Sequence, residues 1–514
     1  MKKTKFKKEI LILCLYIIVM LCLTIFRHNT LQSSYGLGIE ERIIVNTLKG
    51  DFFYNDDWNT YSLGNHFHVF SFLILTPVYT LFPSIHTITF MQILAIAISG
   101  YILLLLAKEK GLNKKETNIV FYSFLLFPLI INLLLEDVHA VVYSVPLILL
   151  LFLFLHQNKN KSLIFAAVLL SLVQEDMALI VIALGIYILF FEKKKRQIGV
   201  LIAIIGLIAL IVIPNIIMPK ILNADSPWNQ HYSSSSEESE YIHFSFHYKH
   251  LGNNMFEVFK TIISRPVYSL TYTPFLIKIN FLKALLLPLL LIPLFSPVII
   301  VAIPTLMEIL LKSDIISMCP NSYRVAPVIA VLFVSLIDGV LRIKKLIPKK
   351  RVALLLKAMF IVIIATLLVG EVGHWFAKDY FLNNNYLGGK ACKKIEFKLN
   401  PNNSFFKVSR NYKTIKQHIN TIPKEASIIV PFHLFSQFSS NTEANTFFLG
   451  HKCINKEYII FDSQDVYFPS NLNMKTEIKK IIESQIYETY YSEKDFVILR
   501  KVKEEKYCFE TDNI

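Results

Sequence analysis

The chain has 514 residues, of which 54% are apolar and 18% are charged. A soluble domain carries about 25% charged residues, so this chain has too few charged side chains for a soluble enzyme of its length. Its 16 glycines and 20 prolines are also too few for a fibrous or disordered chain. The apolar residues form long runs such as 197–218 and 351–368, and about 20 apolar residues in a helix cross a bilayer. Composition therefore predicts a polytopic α-helical membrane protein.

The net charge of +15 comes from lysines and arginines that lie in short runs between the apolar segments. These runs cover residues 2–8, 108–115, 159–161, 193–196 and 342–351. Short basic loops mark the cytoplasmic side of a membrane. The charge therefore indicates topology, with a cytoplasmic N-terminus, and nucleic acid is not expected as a partner.

Alternation from the first basic run predicts about ten crossings with every basic run inside. The run at 9–26 has no small-residue cleavage site after it, which predicts a retained signal anchor. The other predicted spans are 86–107, 117–135, 140–156, 162–174, 177–191, 197–217, 322–341 and 352–371, with a proline-broken hairpin or two short helices at 281–311. Segment 68–83 is short for a crossing, so we expect a half-membrane or interfacial piece. Residues 27–67 and 218–280 are predicted external loops.

The composition becomes polar from about residue 377, which divides the chain into a membrane domain, 1–376, and an extracytoplasmic α/β domain, 377–514. Strands are predicted at 426–430, 458–461 and 495–499, and a helix at 474–487. Cys392, Cys453 and Cys508 lie in this domain and could include a disulfide, but their spacing leaves the pairing open.

Acidic residues and histidines gather at the helix ends opposite the basic runs, although acids contribute little to orientation. These residues are Glu40, Glu41, Asp51, Asp56, Asp57, Glu136, Asp137, His139, Glu175 and Asp176. Asp51, Asp56 and Asp57 are interpreted as solvated turns. The turns 136–139 and 174–176 are so short that they lie at the headgroup level, where a charge needs a partner or a water-filled cavity. Helix capping by Asp137 and Asp176 is an alternative and compatible interpretation.

The first external loop contains a predicted amphipathic helix, 35–50, with Glu41 near its start, followed by Gly64-Asn-His-Phe-His68. Two histidines alone are a weak metal motif, so a structural role for His66 and His68 remains the alternative.

The order of these segments resembles the DUF2079 family of predicted bacterial membrane proteins over roughly residues 35–345. Members of that family carry an aspartate and Gln in loop 1, then Gly-Asp-His-Phe, Asp-Phe-His and Lys-Glu-Asp. This chain departs from the pattern at five positions. They are Glu41, Arg42, Asn65, Val138 and Gln174.

The resemblance implies a bacterial plasma-membrane protein with an architecture similar to that of the GT-C glycosyltransferases. It also implies a polyprenyl-phosphate sugar donor, with membrane lipids as the other partners, and a catalytic acid in loop 1. Glu41 is then the expected proton acceptor for an acceptor hydroxyl. The expected catalytic residues are Glu41, Asp137, His139, Glu175 and Asp176. The expected substrate-binding residues are Glu40, His66, His68, Arg265, Tyr323 and Arg324, and a divalent metal ion would be held by His66, Asp137 and His139.

Two other functions stay open at this point, and the oligomeric state is open as well. A lipid or sugar transporter or flippase would carry charges inside its spans, where Glu308 and Asp338 are the residues of interest. A non-catalytic envelope scaffold would use the C-terminal domain to bind a partner, whereas an enzyme would use that domain to recognise its acceptor.

Overall fold

The computed structural model describes residues 6–222, 247–253, 255–313, 316–318, 322–369, 411–447, 453–463 and 474–509. Most of these residues are helical, and a small sheet lies near the C-terminal end. Three predicted features lie outside the described residues: the boundary between 376 and 377, the Ser- and Glu-rich residues 233–240 of the external loop 218–280, and Cys392.

The helices of the first half of the chain alternate with short turns. They are α1 (Lys7–Asn29), α2 (Tyr35–Lys49), α3 (Ser62–Asn65), α4 (Val69–Leu81), α5 (Ile85–Glu109), α6 (Lys114–Leu125), α7 (Pro128–Glu136), α8 (Ser144–His156), α9 (Asn160–Ser171), α10 (Met177–Phe191), α11 (Arg196–Val212) and α12 (Met218–Ile221). A 3-10 turn, Ala140–Tyr143, precedes α8, and a π-helical turn, Ile213–Ile217, joins α11 to α12. In loop 1, the two-residue strands β1 (Tyr54–Asn55) and β2 (Thr60–Tyr61) form a small antiparallel hairpin.

Six helical stretches in the described part of the chain are long and apolar enough to cross a membrane. They are Lys7–Asn29, Ile85–Glu109, Lys114–Leu135, Lys193–Ile221, Tyr323–Ile343 and Lys349–Leu368. Five shorter apolar helical stretches accompany them, at Val69–Leu81, Ala140–His156, Asn160–Ser171, Met177–Phe191 and Pro297–Leu311. The multi-pass class is therefore confirmed, and the count of about ten crossings stays a prediction.

The later helices of the membrane region are shorter and more irregular. They are α13 (Met255–Ser264), α14 (Pro266–Thr271), α15 (Phe275–Leu286), α16 (Ile303–Leu311), α17 (Ala326–Ile343) and α18 (Lys349–Val369). Between α15 and α16 the chain runs through three 3-10 turns, Leu287–Leu289, Ile292–Phe295 and Pro297–Ala302, because the prolines there remove backbone donors. The predicted proline-broken segment therefore continues from α15 through these turns into α16. The predicted external loop 218–280 includes α13 and α14, which carry the exposed apolar residues Phe256, Ile263 and Val267.

Burial separates central from peripheral spans. The apolar window of Tyr323–Ile343 is 83% buried inside the protein, whereas those of Lys7–Asn29 and Lys193–Ile221 are only 22% buried and leave apolar side chains outward. Exposed apolar residues on a spanning helix face lipid. At the end of the bundle where the basic loops lie, Asn113 and Glu116 form a capping box at the start of α6, and Lys344 pairs with Glu116.

The C-terminal region contains a mixed five-stranded sheet with two helices, α19 (Tyr412–Thr421) and α20 (Met474–Glu483). Its strands are β3 (Ile428–Val430), β4 (Ala444–Thr446), β6 (Tyr458–Asp462), β7 (Tyr487–Glu493) and β8 (Phe496–Lys501), in the order β4-β3-β6-β8-β7. Strands β4, β3 and β6 are parallel, and the other pairs are antiparallel. Two short strands, β5 (Cys453–Ile454) and β9 (Tyr507–Cys508), pair beside it and are joined by a Cys453–Cys508 disulfide. The three predicted strands are confirmed, but the predicted helix ends earlier, and helix α19 and strands β4, β5, β7 and β9 were not predicted.

Candidate functional site

Four separate segments bring acids and imidazoles to one end of the bundle. They are the first turns of α2, the segment between α3 and α4, the turn after α7, and the turn between α9 and α10. Hydrogen bonds, ion pairs and electrostatic interactions connect the side chains from these segments. The cluster comprises Glu40, His66, His68, Asp137, His139, Glu175 and Asp176.

Glu40 lies deepest in this cluster, with 6% of its surface exposed. Its Oε1 is 4.0 Å from Nδ1 of His68, and its Oε2 has no hydrogen-bond partner among the described residues. Burial, together with the nearby Asp137 carboxylate, raises the pKa of Glu40 from 4.5 to about 8. A carboxyl with such a pKa exchanges a proton near neutral pH.

His68 is held neutral in the same pocket. Its Nε2 is 2.6 Å from the Ser62 hydroxyl, and its side chain is buried. Burial and the neighbouring His66 imidazole lower the pKa of His68 to about 3. Asn65, in the preceding turn, is also buried, and neither its oxygen nor its nitrogen has a partner among the described residues.

Asp137 and His139 form the second pair, in the turn after α7. Nε2 of His139 is 3.3 Å from Oδ2 of Asp137, and the imidazole stacks on the ring of Tyr323 with the centroids 3.6 Å apart. Oδ1 of Asp137 accepts hydrogen bonds from the Ser34 hydroxyl and the Val138 amide. Predicted capping of the following helix by Asp137 is not seen, because Asp137 follows the end of α7 and its carboxylate binds Ser34, just before α2, and the Val138 amide.

Gly36 explains how α2 approaches this turn so closely. A Cβ at Gly36 would lie 2.4 Å from Oδ2 of Asp137, a separation that van der Waals contact forbids. Gln92 of α5 supports the same turn, since its Nε2 donates to the Asp137 carbonyl at 2.8 Å and its Oε1 accepts from the His139 amide at 3.0 Å.

Glu175 and His66 form the third pair. Oε1 of Glu175 is 3.1 Å from Nδ1 of His66, and Oε2 accepts a hydrogen bond of 2.9 Å from the Phe67 amide. Burial alone would raise the pKa of Glu175, but the His66 imidazole and these hydrogen bonds outweigh it and lower the pKa. Glu175 is therefore ionised, and its carboxylate fixes the position of the segment that carries His66 and His68.

Asp176 belongs to an adjoining group. Burial, Glu308 and Glu175 raise its pKa, while Lys312 and Arg324 oppose the rise. Lys312 is almost fully buried and pairs with Glu308 at 2.9 Å. Arg324 lies 5.3 Å from the Tyr323 ring centroid, which places a cation beside the cluster.

Glu41 occupies a different environment from its neighbour Glu40. Its Oε1 accepts a 2.8 Å hydrogen bond from the Tyr79 hydroxyl, and its Oε2 accepts one from Ser439 of the C-terminal region. Both carboxylate oxygens are thus engaged in contacts that join α2 to α4 and to the sheet region. This geometry favours Glu40 over Glu41 as a proton acceptor.

Arg42 extends this junction. Its guanidinium, with no exposed surface, donates to the carbonyls of Ser439, Asn441 and Ala444 and pairs with Asp56 at 2.7 Å. Arg42, which stands where the family pattern has Gln, thus attaches loop 1 to the C-terminal region.

Asp57 attaches loop 1 to the same region. Its carboxylate accepts bonds from the Thr446 amide and hydroxyl, at 2.7 and 2.8 Å, and from the Tyr35 hydroxyl at 2.6 Å. The interpretation of Asp56 and Asp57 as solvated turns was therefore wrong. Both acids face donors that come from elsewhere in the chain.

The predicted metal ligands do not form a common set. His66 faces Glu175, whereas His139 faces Asp137, and no group of three or more His, Cys, Asp or Glu side chains in the described part of the chain has the geometry to hold a metal ion. Arg265 begins α14 with an exposed side chain and makes no contact with the cluster among the described residues. Tyr323 and Arg324, by contrast, border it.

Among the residues that the structure describes, six long apolar helices and a polar cluster at one end of the bundle define a multi-pass integral membrane protein. The family model of DUF2079, described as predicted membrane proteins, matches residues 27–498. The chain belongs to this family, as the loop motifs predicted. No curated protein matches the chain.

Proposed function

We propose that this protein is a GT-C-like glycosyltransferase that transfers a sugar from a polyprenyl-phosphate donor to an envelope acceptor at the external face of a bacterial plasma membrane. The observation that carries the proposal is the buried Glu40, which has one oxygen without a hydrogen-bond partner among the described residues and has His68 and Asp137 as neighbours. A lipid-linked donor presents its phosphate at the membrane surface, which is where the ends of the helices lie.

Glu40 would act as the general base. Its unpartnered Oε2 would accept the proton of an acceptor hydroxyl while the hydroxyl oxygen bonds to the anomeric carbon of the sugar. The bond between that carbon and the phosphate oxygen breaks, and the polyprenyl phosphate leaves with the electron pair. A pKa of about 8 suits a base that works near neutral pH.

Other residues would hold this geometry. His139 is stacked on Tyr323, and its Nε2 faces the Asp137 carboxylate; as an imidazolium it would donate from Nδ1 toward developing charge on the phosphate. Arg324 supplies a cation beside the cluster. Glu175 would act as a positioning residue, because it fixes His66 and the Phe67 amide. No step of this mechanism requires a metal ion.

The disulfide supports the proposed orientation. Disulfides persist in oxidising compartments, and Cys453–Cys508 lies in the region that the basic-loop topology assigns to the exterior. The mid-span acids give transport less support, because Glu308 pairs with Lys312, and Asp338 pairs with Arg342 and accepts from Ser296.

The test uses the full chain in proteoliposomes with polyprenyl phosphates that carry a radiolabelled hexose or pentose. Release of polyprenyl phosphate is measured, because it forms whichever acceptor takes the sugar. Glu40→Gln should lower kcat by about 10²–10⁴-fold, the usual contribution of a general base. Glu41→Gln is the matched neighbouring control and should retain kcat within about tenfold, since its carboxylate holds structural hydrogen bonds.

Two results would contradict the proposal. Equal kcat values for Glu40→Gln and the wild type would remove the base from the mechanism. Movement of intact labelled donor across the vesicle membrane, without release of polyprenyl phosphate, would assign the protein to the transporters.

A further inference from the structure

Helix α13, in the predicted external loop 218–280, has an exposed apolar face. Phe256, Phe259 and Ile263 lie on this face, because residues three, four or seven positions apart share one side of a helix. Phe256 and Ile263 are 78% and 79% exposed, and Phe259 is 57% exposed. The described residues leave this face uncovered. A row of large exposed apolar side chains indicates an interaction surface.

The opposite side of α13 is fixed to the end of α16. Val258 lies in a small apolar core with Leu251 and with Leu311, the last residue of α16. Just beyond this core, the Ser313 amide donates to the His247 carbonyl at 2.9 Å. One side of α13 is therefore held by the protein, and the exposed apolar face points away from it.

The contacts of α16 show at which end of the bundle α13 lies. The Tyr248 hydroxyl donates to the Glu308 carbonyl at 2.9 Å, and the Glu308 carboxylate acts electrostatically on Asp176 of the acidic cluster. The helix thus lies at the end of the bundle that carries the cluster. It has ten residues and is about 15 Å long, so it cannot cross a hydrocarbon core of about 30 Å.

The charges around the face match an anionic surface. From residue 247 to residue 283 the sequence has five lysines and arginines but one acid, Glu257. Lys260 follows Phe256 by four positions and borders the apolar face, and Arg265 follows the last residue of α13. Both basic side chains are exposed. Such side chains can lay their apolar stems along a membrane surface while their charges reach the lipid headgroups.

The exposed apolar surface continues along the chain beyond α13. Val267, Tyr268, Tyr272 and Phe275 are also exposed, and Phe275 begins α15. Helix α15 then enters the proline-broken segment that the sequence predicts to lie in the membrane. Tyrosines are enriched where a membrane meets water. This continuity favours lipid over a soluble protein as the occupant of the face.

We propose that α13 is an interfacial helix that lies on the membrane surface and binds anionic phospholipids. Phe256, Phe259 and Ile263 enter the boundary between headgroups and acyl chains, and Lys260 and Arg265 contact lipid phosphates. The predicted external loop then contains a membrane anchor at the end of the bundle that carries the acidic cluster. The inference does not rest on sugar transfer, because a transporter or a scaffold with this fold would have the same anchor.

Quenching of tryptophan fluorescence by brominated lipids tests where α13 lies. The full chain with Phe259→Trp is reconstituted in vesicles, and the signal of the wild type, which has three tryptophans, is subtracted. Bromines near the headgroup end of the acyl chains should quench the added fluorescence more than bromines near the bilayer centre. Ile482→Trp replaces an exposed apolar residue of α20 in the C-terminal region and is the control, with no quenching expected.

A second experiment tests the preference for anionic lipids in the Phe259→Trp chain. A small fraction of brominated phosphatidylglycerol in unbrominated phosphatidylcholine should quench the added fluorescence about twofold or more beyond the same fraction of brominated phosphatidylcholine, as expected for two exposed ion pairs. Lys260→Gln with Arg265→Gln should abolish this preference. Lys413→Gln with Lys424→Gln removes two exposed lysines of the C-terminal region and is the matched control, which should keep it.

Three results would overturn the inference. The first is no lipid quenching at position 259, as expected if a second copy of the chain or another of its segments covers the face. The second is stronger quenching by bromines near the bilayer centre, which would place α13 within the hydrocarbon core. The third is equal quenching by the two brominated lipids, or a preference for phosphatidylglycerol that persists without Lys260 and Arg265.

Discussion

Replacement of Glu40 by glutamine should increase stability at alkaline pH while strongly lowering the proposed activity. The folded protein holds a proton at Glu40 between pH 4.5 and about 8, whereas the unfolded chain releases it across most of this range. The stability of the wild type therefore falls as the pH rises through this window. The Glu40→Gln variant does not lose this stability, because glutamine cannot ionise.

The size of this effect follows from the pKa. A rise from 4.5 to about 8 corresponds to about 5 kcal/mol, and relaxation and water penetration around a buried charge reduce the measured value to about 2–5 kcal/mol. The variant and the wild type should unfold at similar temperatures near pH 4.5. At pH 8.5 the variant should unfold several degrees higher.

Thermal unfolding in detergent, followed by tryptophan fluorescence at several pH values, measures the difference. Glu425→Gln removes an exposed carboxylate and is the control, with no expected pH-dependent gain. The reasoning is refuted if the gap between the Glu40→Gln and wild-type unfolding temperatures stays constant from pH 4.5 to pH 8.5.

Three further perturbations examine the junctions around the site. Arg42→Ala should destabilise the protein by about 3–5 kcal/mol, because Asp56 and several carbonyls lose a buried partner. Limited proteolysis of this variant should cleave near residue 440 faster than in the wild type. Gly36→Ala should displace the Asp137 carboxylate and destabilise the protein by about 1–3 kcal/mol. The variant should still fold, but its kcat for release of polyprenyl phosphate should fall. A wild-type kcat in this variant would contradict the role assigned to Asp137. Removal of the disulfide by Cys453→Ser with Cys508→Ser should destabilise the C-terminal region by about 4 kcal/mol. Limited proteolysis should cleave this region faster than in the wild type, and addition of a reductant should not increase the rate for the variant any further.

The sequence predicted the features that depend on local pattern. The spans followed from apolar runs and basic loops, and the strands at 428–430 and 458–462 followed from short apolar runs. The motifs of loop 1 and of the two tight turns also indicated which acids and histidines meet. Their meeting required only that helix ends lie on the same side of a membrane.

The features that depend on distant packing were not predictable. Glu40 and Glu41 are adjacent in sequence, and only the contacts of Tyr79 and Ser439 show which of them is structurally engaged. The role of Arg42 depends on carbonyls about 400 residues later, as its separation of 397 from Ser439 shows. Gln92 and Gly36 carry no local signal of their function, since their partners lie in the turn after α7.

The attachment of loop 1 to the C-terminal region has a consequence for biogenesis. Ser439, whose carbonyl accepts a hydrogen bond from Arg42, is 397 residues later in the chain. At a synthesis rate of about 5–20 residues per second, it is therefore synthesised roughly 20–80 s after Arg42. During that interval the guanidinium can pair with Asp56 but lacks the carbonyls of Ser439, Asn441 and Ala444, so loop 1 is not yet in its final contacts. Completion of this junction is thus coupled to the last part of translation, and a chain interrupted before residue 439 would leave the Arg42 guanidinium without its carbonyl partners.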